Sequence, residues 1–174
     1  MAKKVKKKDR PLIDVILEMA FKHAERVLLK TDAAAQLVPV FATFKDGDVD
    51  IIATPWNNDE QKRQAQMLIR AKLIMEKCDA YSFVSEAWML AVNKSEFPNA
   101  EDYDGIMPSQ SERRIEVVVA TAVAKSETGL DKRFSTWAII RNDQGVIVEL
   151  KPMKEPYQGA DSVGGTMPSL MDDL

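Results

Sequence analysis

The sequence is poor in the residues that usually perform covalent or metal chemistry. Its 174 residues include one cysteine, Cys78, and one histidine, His23. A lone cysteine cannot form an internal disulfide, which favours a reducing compartment, and the usual zinc sites need more ligands than these two. We therefore expect a cytoplasmic protein with no cofactor and no metal, in which Cys78 is buried and structural and His23 lies on the surface.

Long apolar runs and nucleotide-binding motifs are also missing. No run approaches the roughly 20 apolar residues that span a bilayer. Asp14, Glu18 and Lys22 interrupt the stretch that follows the basic start, which is unlike a secretory signal. The sequence contains no Gly-x-Ser-x-Gly elbow, Walker A loop or Gly-x-Gly-x-x-Gly fingerprint. We expect no membrane association, and the common nucleophile and nucleotide-binding classes have no support.

Charge is unevenly distributed along the chain. The formal net charge is −3, but residues 1–10 carry +5 and residues 152–174 carry −3, which leaves −5 on the body between them. We predict a disordered basic arm over 1–10, a single domain over 11–151 and a disordered acidic tail over 152–174, because charge runs and segments rich in proline and glycine bury little apolar surface. The body is long enough to form a hydrophobic core.

Hydrophobic spacing predicts two helices and six strands. The first helix is expected over about 11–31, and the second is expected to begin at a cap formed by Asn57, Asn58 or Asp59 and to run to about Cys78. The strands are expected at about 37–44, 49–54, 81–92, 114–124, 133–142 and 146–151. The expected buried stripe of the second helix consists of Ala65, Met67, Leu68, Ala71, Ile74 and Met75. With the order α-β-β-α-β-β-β-β and short hairpin links, the chain is predicted to be α+β, a mainly antiparallel sheet of five to six strands with two helices on one face.

Strand alternation predicts two different sheet faces. One face carries Phe83, Val117 and Phe134, which suit a core covered by helices. The other face mixes two tryptophans with charged residues, and such a surface is typical of an interaction site. Its members are Glu86, Trp88, Arg114, Glu116, Arg133, Trp137 and Arg141. Three readings remain open for this face: a sheet edge capped by the two indoles, a self-association surface, and a ligand or nucleic-acid site.

Glu86 and Glu116 each interrupt an apolar strand. Cross-strand pairing with arginine explains both acids. Paired carboxylates with separated pKa values can also perform acid–base chemistry, so a metal-dependent hydrolase or nuclease is an alternative. No lysine follows Glu86 or Glu116 at the short spacing found in common metal-dependent nucleases.

The two termini suggest partners. The arm lysines could contact phosphates, which makes a single-stranded nucleic-acid-binding accessory protein a second alternative. They are Lys3, Lys4, Lys6, Lys7 and Lys8. The final segment, Met-Pro-Ser-Leu-Met-Asp-Asp-Leu, resembles the partner-recruiting tails of single-stranded DNA-binding proteins without their usual aromatic ending. It therefore suggests a protein partner.

Ser-Glu-Ala-Trp-Met at 85–89 and Pro-Ser-Gln-Ser-Glu-Arg-Arg-Ile-Glu-Val-Val-Val at 108–119 resemble a pattern in small uncharacterised bacterial and phage proteins. The resemblance covers about a third of the chain and implies no activity. It would make Glu86, Trp88, Pro108, Arg114 and Glu116 the first positions to mutate. We expect a non-enzymatic binding or accessory protein, phage- or prophage-encoded, that forms a homo-oligomer through the face bearing the tryptophans.

Overall fold

The computed structural model describes residues 10–30, 36–90, 111–112, 114–153 and 170–171. The predicted α+β class and element order are confirmed. The elements are α1 (Leu12–Lys30), β1 (Val40–Lys45), β2 (Asp48–Ala53), α2 (Asp59–Met75), β3 (Ala80–Leu90), β4 (Arg114–Ser126), β5 (Gly129–Arg141) and β6 (Ile147–Pro152). Residues 1–9 of the basic arm and most of the long link between β3 and β4 lie outside the described residues.

The six strands form one sheet in the order β2-β1-β3-β4-β5-β6, and every neighbouring pair is antiparallel. The β1–β2 hairpin closes on the predicted Asp-Gly turn, where Asp46 and Gly47 have φ angles of 50° and 90°. Two consecutive positive φ angles are characteristic of the tight turn that matches strand twist. The sheet therefore has β2 and β6 at its edges and the long strands β3, β4 and β5 in its interior.

Helix α1 covers one face of the sheet. Ala20, Ala24 and Leu28 pack with residues of β3, β4 and β5 such as Val84 and Val118. Nearer its start, the helix buries Ile13 and Ile16 against small residues of β3 and β4 and against a phenylalanine of β1, namely Ala80, Ala122, Ala124 and Phe44. Alanines on the sheet let the helix approach closely, so α1 lies low over the centre of this face.

Helix α2 covers the opposite face. It packs Ile69 and Leu73 against Phe41, Tyr81 and Phe83. Because consecutive strand residues point to opposite sides, Phe83 lies on the side away from Val84, where α1 packs. The structure therefore differs from the sequence prediction in one respect: the two helices lie on opposite faces of the sheet rather than on one. Of the three residues predicted to form the helix-covered core, Phe83 and Val117 are buried and Phe134 is half-buried, and Phe83 packs in the cluster that contains α2.

The start of α2 is fixed by a side-chain cap. Asn58 Oδ1 accepts a hydrogen bond from the Gln61 N–H at 2.8 Å, and Asp59 and Glu60 lie in the first turn. The cap satisfies a backbone donor that has no partner within the helix, and the acids favour the positive end of the helix dipole. Helix α2 is thus well defined at its start although it contacts the sheet through a narrow strip.

Two residues of the predicted disordered tail belong to the core. Leu170 and Met171 are buried in the same cluster as Ile69 and Leu73 of α2. The structure therefore differs from the domain prediction at these two positions, since the folded unit extends beyond 11–151 to include them. The rest of the tail beyond Met153 lies outside the described residues.

Candidate interaction surfaces

The seven residues predicted to share a sheet face do share one, but α1 covers part of it. Trp88 pairs with Glu116 across β3 and β4, and Trp137 pairs with Val118 across β4 and β5. Trp137 is 9% exposed, and its ring stacks on Phe21 of α1 with centroids 4.5 Å apart. The face is therefore not turned away from the helices as expected, and Trp137 is a core residue that a partner cannot reach.

Trp88 lies beyond the part of the face that α1 covers. It is 44% exposed, and the guanidinium carbon of Arg114 sits 4.6 Å from the centroid of its ring. This geometry is a cation–π contact. Arg133, by contrast, is exposed at the other end of β5 and donates to the Lys132 carbonyl oxygen at 3.3 Å. The predicted surface is therefore divided, with Trp88 and Arg114 at one end of the sheet and Arg133 at the other.

Glu116 forms a cross-strand ion pair with an arginine, as expected from the sequence, and its partner is Arg141. Arg141 Nε donates to Glu116 Oε2 at 2.8 Å, and Arg141 Nη2 donates to Glu116 Oε1 at 2.7 Å. Arg141 Nη1 also donates to the Gly145 carbonyl oxygen at 2.9 Å in the β5–β6 turn. Both carboxylate oxygens are thus held in a bidentate pair, and the arginine ties β4 to the turn that leads into β6.

Glu86 joins the sheet to the segment before β1. Its Oε1 accepts a hydrogen bond from the Leu37 N–H at 2.6 Å. Burial of the carboxyl group raises its pKa, and the nearby negative charge of Glu116 raises it further, while the hydrogen bond from Leu37 and the charge of Arg141 oppose these effects. A raised pKa in the folded state means that the fold holds the proton more tightly than the unfolded chain does. This group therefore stabilises the fold less as pH rises from the ordinary glutamate range through the raised pKa.

The two acids are therefore structural partners in this arrangement. Both carboxylate oxygens of Glu116 accept hydrogen bonds from Arg141, and Glu86 accepts one from the Leu37 N–H. Within the described part of the chain, no three histidine, cysteine or acidic side chains converge as a metal site would need. The hydrogen bonds of this cluster connect β4 to the β5–β6 turn through Arg141 and connect β3 to the segment before β1 through Glu86. Hydrogen bonds with a charged partner are stronger than those between neutral groups.

His23 and Cys78 also differ in environment. Cys78 is buried, as expected, and desolvation raises the pKa of its thiol, which keeps it in the unreactive protonated form. His23 is partly buried rather than on the open surface, and its Nδ1 is enclosed without a hydrogen-bond partner among the residues that the structure describes. Desolvation lowers the pKa of the imidazole, with a further contribution from the charge of Arg26. Burial therefore favours the neutral form of this imidazole.

A shallow open depression of about 280 Å³ lies beside Trp137 at the start of α1. Its rim carries Glu18, which pairs with Lys22 and Arg10 at 2.5 Å each. Hydrogen bonds from Lys22 and then Arg10 lower the pKa of Glu18 to about 2. These rim charges satisfy each other at an exposed position, where ion pairs contribute little.

Helix α2 exposes a large apolar surface, and this is the feature that the sequence prediction assigned wrongly. Met67, Leu68, Ile74 and Met75 were expected to be buried, but they are between 50% and 81% exposed. The buried strip is formed instead by Ile69 and Leu73 on the opposite side of the helix. Single exposed apolar residues are ordinary, but a contiguous group on one helix face marks an interaction surface.

The exposed group, which we name the α2 stripe, is symmetric about Ala71. At 3.6 residues per turn, Met67, Leu68, Ile74 and Met75 all lie within about 60° of Ala71 around the helix axis. Met67 and Met75 stand four residues on either side of Ala71, and Leu68 and Ile74 stand three residues on either side. Read in either direction, the stripe presents Met, a branched aliphatic residue, Ala, a branched aliphatic residue and Met. Such a pattern is complementary to itself under a two-fold axis through Ala71.

Lys72, on one flank of the α2 stripe, is paired with two carboxylates of its own chain. Lys72 Nζ donates to Asp50 Oδ2 at 2.8 Å and to Glu76 Oε1 at 2.6 Å, so its charge is matched within the chain. These bonds raise the pKa of Lys72, Asp50 contributing most. A lysine already paired in this way would not present a free charge to a second copy of α2. The neighbouring apolar side chains can therefore meet without bringing two unneutralised ammonium groups together.

Several predicted contacts lie outside the described residues. They include the arm lysines at positions 3, 4, 6, 7 and 8, Pro108 in the long link, and most of the acidic tail. Neither helix in the described part combines the length and apolar character that crossing a bilayer requires. Comparisons of the chain with protein-family models, with curated proteins and with solved structures gave no match.

Proposed function

We propose that this chain is a non-enzymatic binding protein that self-associates, and that two copies meet through antiparallel pairing of their α2 stripes. The proposal keeps the self-association expected from the sequence and moves it from the face bearing the tryptophans to α2. The single observation that carries it is the palindromic arrangement of exposed Met67, Leu68, Ile74 and Met75 about Ala71.

The geometry of the α2 stripe favours a second copy of the same helix as the partner. In an antiparallel pair related by a two-fold axis through Ala71, Met67 of one copy lies opposite Met75 of the other, and Leu68 lies opposite Ile74. A small residue at the centre lets the two helix axes approach to about 8–10 Å, the distance typical of packed helices. Large side chains one turn away on each side then pack around the alanines, which leaves no unmatched apolar residue on either helix.

The free energy gained by burying the α2 stripes is large enough for association. Two copies contribute eight large apolar side chains, and full burial of each is worth about 1.5–3 kcal/mol. The loss of rigid-body freedom on association costs about 4–15 kcal/mol. Even partial burial of the eight side chains therefore supplies free energy on the scale that a dimer needs.

The direct test is the molar mass of the full chain by size exclusion with light scattering. The wild type is expected to be a dimer that dissociates on dilution. Leu68→Glu/Met75→Glu is expected to be monomeric, because four carboxylates would be placed in the apolar contact. Glutamate is a good helix former, so circular dichroism should show that α2 is retained.

Two controls separate the α2 stripe from other surfaces. Val148→Glu introduces the same charge at an exposed apolar position of β6, and we expect it to remain a dimer. Trp88→Ala removes the exposed indole of the originally predicted surface, and its mass should also be that of the wild type. A monomeric wild type at high concentration, or a dimer in the Leu68→Glu/Met75→Glu variant, would contradict the proposal.

A further inference from the structure

The inner side of α2 holds a second feature, a groove filled by the end of the chain. Leu170 and Met171 are no more than 4% exposed. They pack in the cluster that contains Ile69 and Leu73 of α2 and Phe41, Tyr81, Phe83 and Val123 of the sheet. The dipeptide is distant in sequence from the residues that it contacts, since Leu170 lies 89 residues after Tyr81 of β3 and 100 residues after Arg70 of α2. It therefore fills a gap between the helix and the sheet as a separate piece.

The groove recognises the main chain of the dipeptide as well as its side chains. The Leu170 N–H donates to the Tyr81 hydroxyl oxygen at 3.1 Å. Arg70 Nη1 donates to the Leu170 carbonyl oxygen at 3.4 Å. One acceptor and one donor thus hold the two polar groups of a single residue, while the apolar walls take two adjacent side chains. Main-chain hydrogen bonds combined with side-chain pockets are the usual means by which domains bind short peptides.

The length of chain before the dipeptide lets the same segment reach a neighbouring molecule. Sixteen residues, 154–169, separate it from the last described residue after β6. At about 3.3–3.6 Å per residue, this length can span up to roughly 55–60 Å. A compact chain of this size has a radius of gyration of about 16 Å. The dipeptide can therefore reach beyond its own molecule.

We propose that the groove between α2 and the sheet is a peptide-binding site for the C-terminal segment of this chain, and that it accepts the segment of a second copy as well as its own. The ligand class is a peptide with adjacent Leu and Met side chains and a free N–H and carbonyl at the leucine. In a single molecule the tethered segment has an effective concentration on the order of millimolar, so it fills its own groove. When two copies are held together, the segment of each lies at a comparable concentration near the groove of the other.

The binding site itself does not depend on pairing of the α2 stripes; only the proportion of exchanged segments rests on that proposed function. Exchange of an identical element between copies is a low-cost route to a dimer, because each groove gains the contacts that it loses. The outer and inner sides of α2 would then serve the same assembly, with the α2 stripe making the helix contact and the groove receiving the partner's C-terminal segment.

A labelled synthetic peptide with the sequence of residues 166–174 tests the site. Its fluorescence anisotropy is followed against the full-length Leu170→Ala/Met171→Ala variant, whose own segment no longer fills the groove. We expect saturable binding to this variant and at least tenfold weaker binding to the wild type, because the tethered segment competes. A control peptide with aspartate in place of both apolar residues should not bind. Equal binding of the two peptides, or no binding of either, would overturn the proposal.

A second measurement uses the chain with its native groove and covers the case in which the double variant does not fold. A photo-reactive phenylalanine analogue replaces Met171, and the protein is irradiated with a tenfold excess of tagged wild-type chain. Cross-links between the two chains are expected to increase with protein concentration, and Leu170→Asp should reduce them. Cross-links confined to one chain at every concentration would refute exchange.

The Leu68→Glu/Met75→Glu variant separates this proposal from the previous one. Because its substitutions lie on the outer side of α2, adding them to the Leu170→Ala/Met171→Ala variant should leave binding of the 166–174 peptide unchanged even when the protein is monomeric. A dimer that survives these substitutions would refute the α2 stripe as the interface without affecting peptide binding. Failure of the peptide to bind the Leu170→Ala/Met171→Ala variant would refute the peptide site, whereas the pairing of the α2 stripes is judged separately from the molar mass of the wild type.

Discussion

Replacement of Trp137 by alanine removes an indole that is 9% exposed and stacked on Phe21. Substitutions of a buried tryptophan by alanine cost about 3–5 kcal/mol in the free energy of unfolding. For a chain of this length, each kcal/mol lowers the melting temperature by about 2–4 °C. We therefore expect Trp137→Ala to melt roughly 6–20 °C below the wild type.

The matched variant is Trp88→Ala. Trp88 is 44% exposed and loses mainly its contact with Arg114. A cation–π contact at an exposed site contributes about 0.5–1 kcal/mol, so this variant should melt only a few degrees below the wild type. Both variants are compared by scanning calorimetry at one protein concentration, because the proposed self-association would make the melting temperature concentration-dependent.

A double-mutant cycle with Phe21→Ala isolates the stacking of the two rings. An aromatic pair of this kind contributes about 0.5–1.5 kcal/mol beyond the area that it buries. The double variant should therefore be destabilised by less than the sum of the single variants. Equal costs for Trp137→Ala and Trp88→Ala, together with strict additivity in the cycle, would refute the placement of α1 over Trp137.

Three further predictions follow from the ion pairs and from α2. Glu86→Gln retains an acceptor for Leu37, and urea unfolding should show stability equal to or above the wild type at pH 8, with a smaller loss of stability as pH rises above the ordinary glutamate range. Arg141→Met leaves the Glu116 carboxylate without its partner, and an unpaired, largely enclosed acceptor costs about 1–3 kcal/mol, measurable by the same titration. In the background of the Leu68→Glu/Met75→Glu substitutions, which are expected to give a monomer, Leu73→Ala should cost about 2–5 kcal/mol and Ile74→Ala on the adjacent exposed side less than about 0.5 kcal/mol, whereas equal costs would contradict the orientation of α2.

The strand pattern could be predicted because alternation has a fixed period of two. Glu86, Trp88, Glu116 and Trp137 lie on one side of the sheet, as their spacing indicates, and the pairing of Glu116 with Arg141 follows from it. What alternation does not tell is which helix covers which side. Both faces of β3 and β4 are apolar enough to be buried, so the letters are equally compatible with helices on one face or on two.

The orientation of α2 could not be predicted for a related reason. The helix has apolar residues on two opposite sides, and the α2 stripe is the richer of them. Hydrophobic periodicity identifies apolar sides but not the one that meets the sheet. The contact is decided by Ile69 and Leu73, together with the position of Leu170 and Met171, which come from a segment whose composition resembles a linker. Two adjacent apolar residues carry no periodicity, and so their burial gave no sequence signal.

The most direct measurement of the α2 pairing is disulfide trapping at its centre. Ala71 is exposed and lies on the proposed two-fold axis, so two copies of Ala71→Cys should bring their Cα atoms within the roughly 4.4–6.8 Å that a disulfide requires. Cys78 is buried and should not react. Arg63→Cys, two turns earlier on the same helix, is the control. The account predicts a covalent dimer from Ala71→Cys under mild oxidation and none from Arg63→Cys, whereas equal cross-linking of the two variants, or none at position 71, would contradict it.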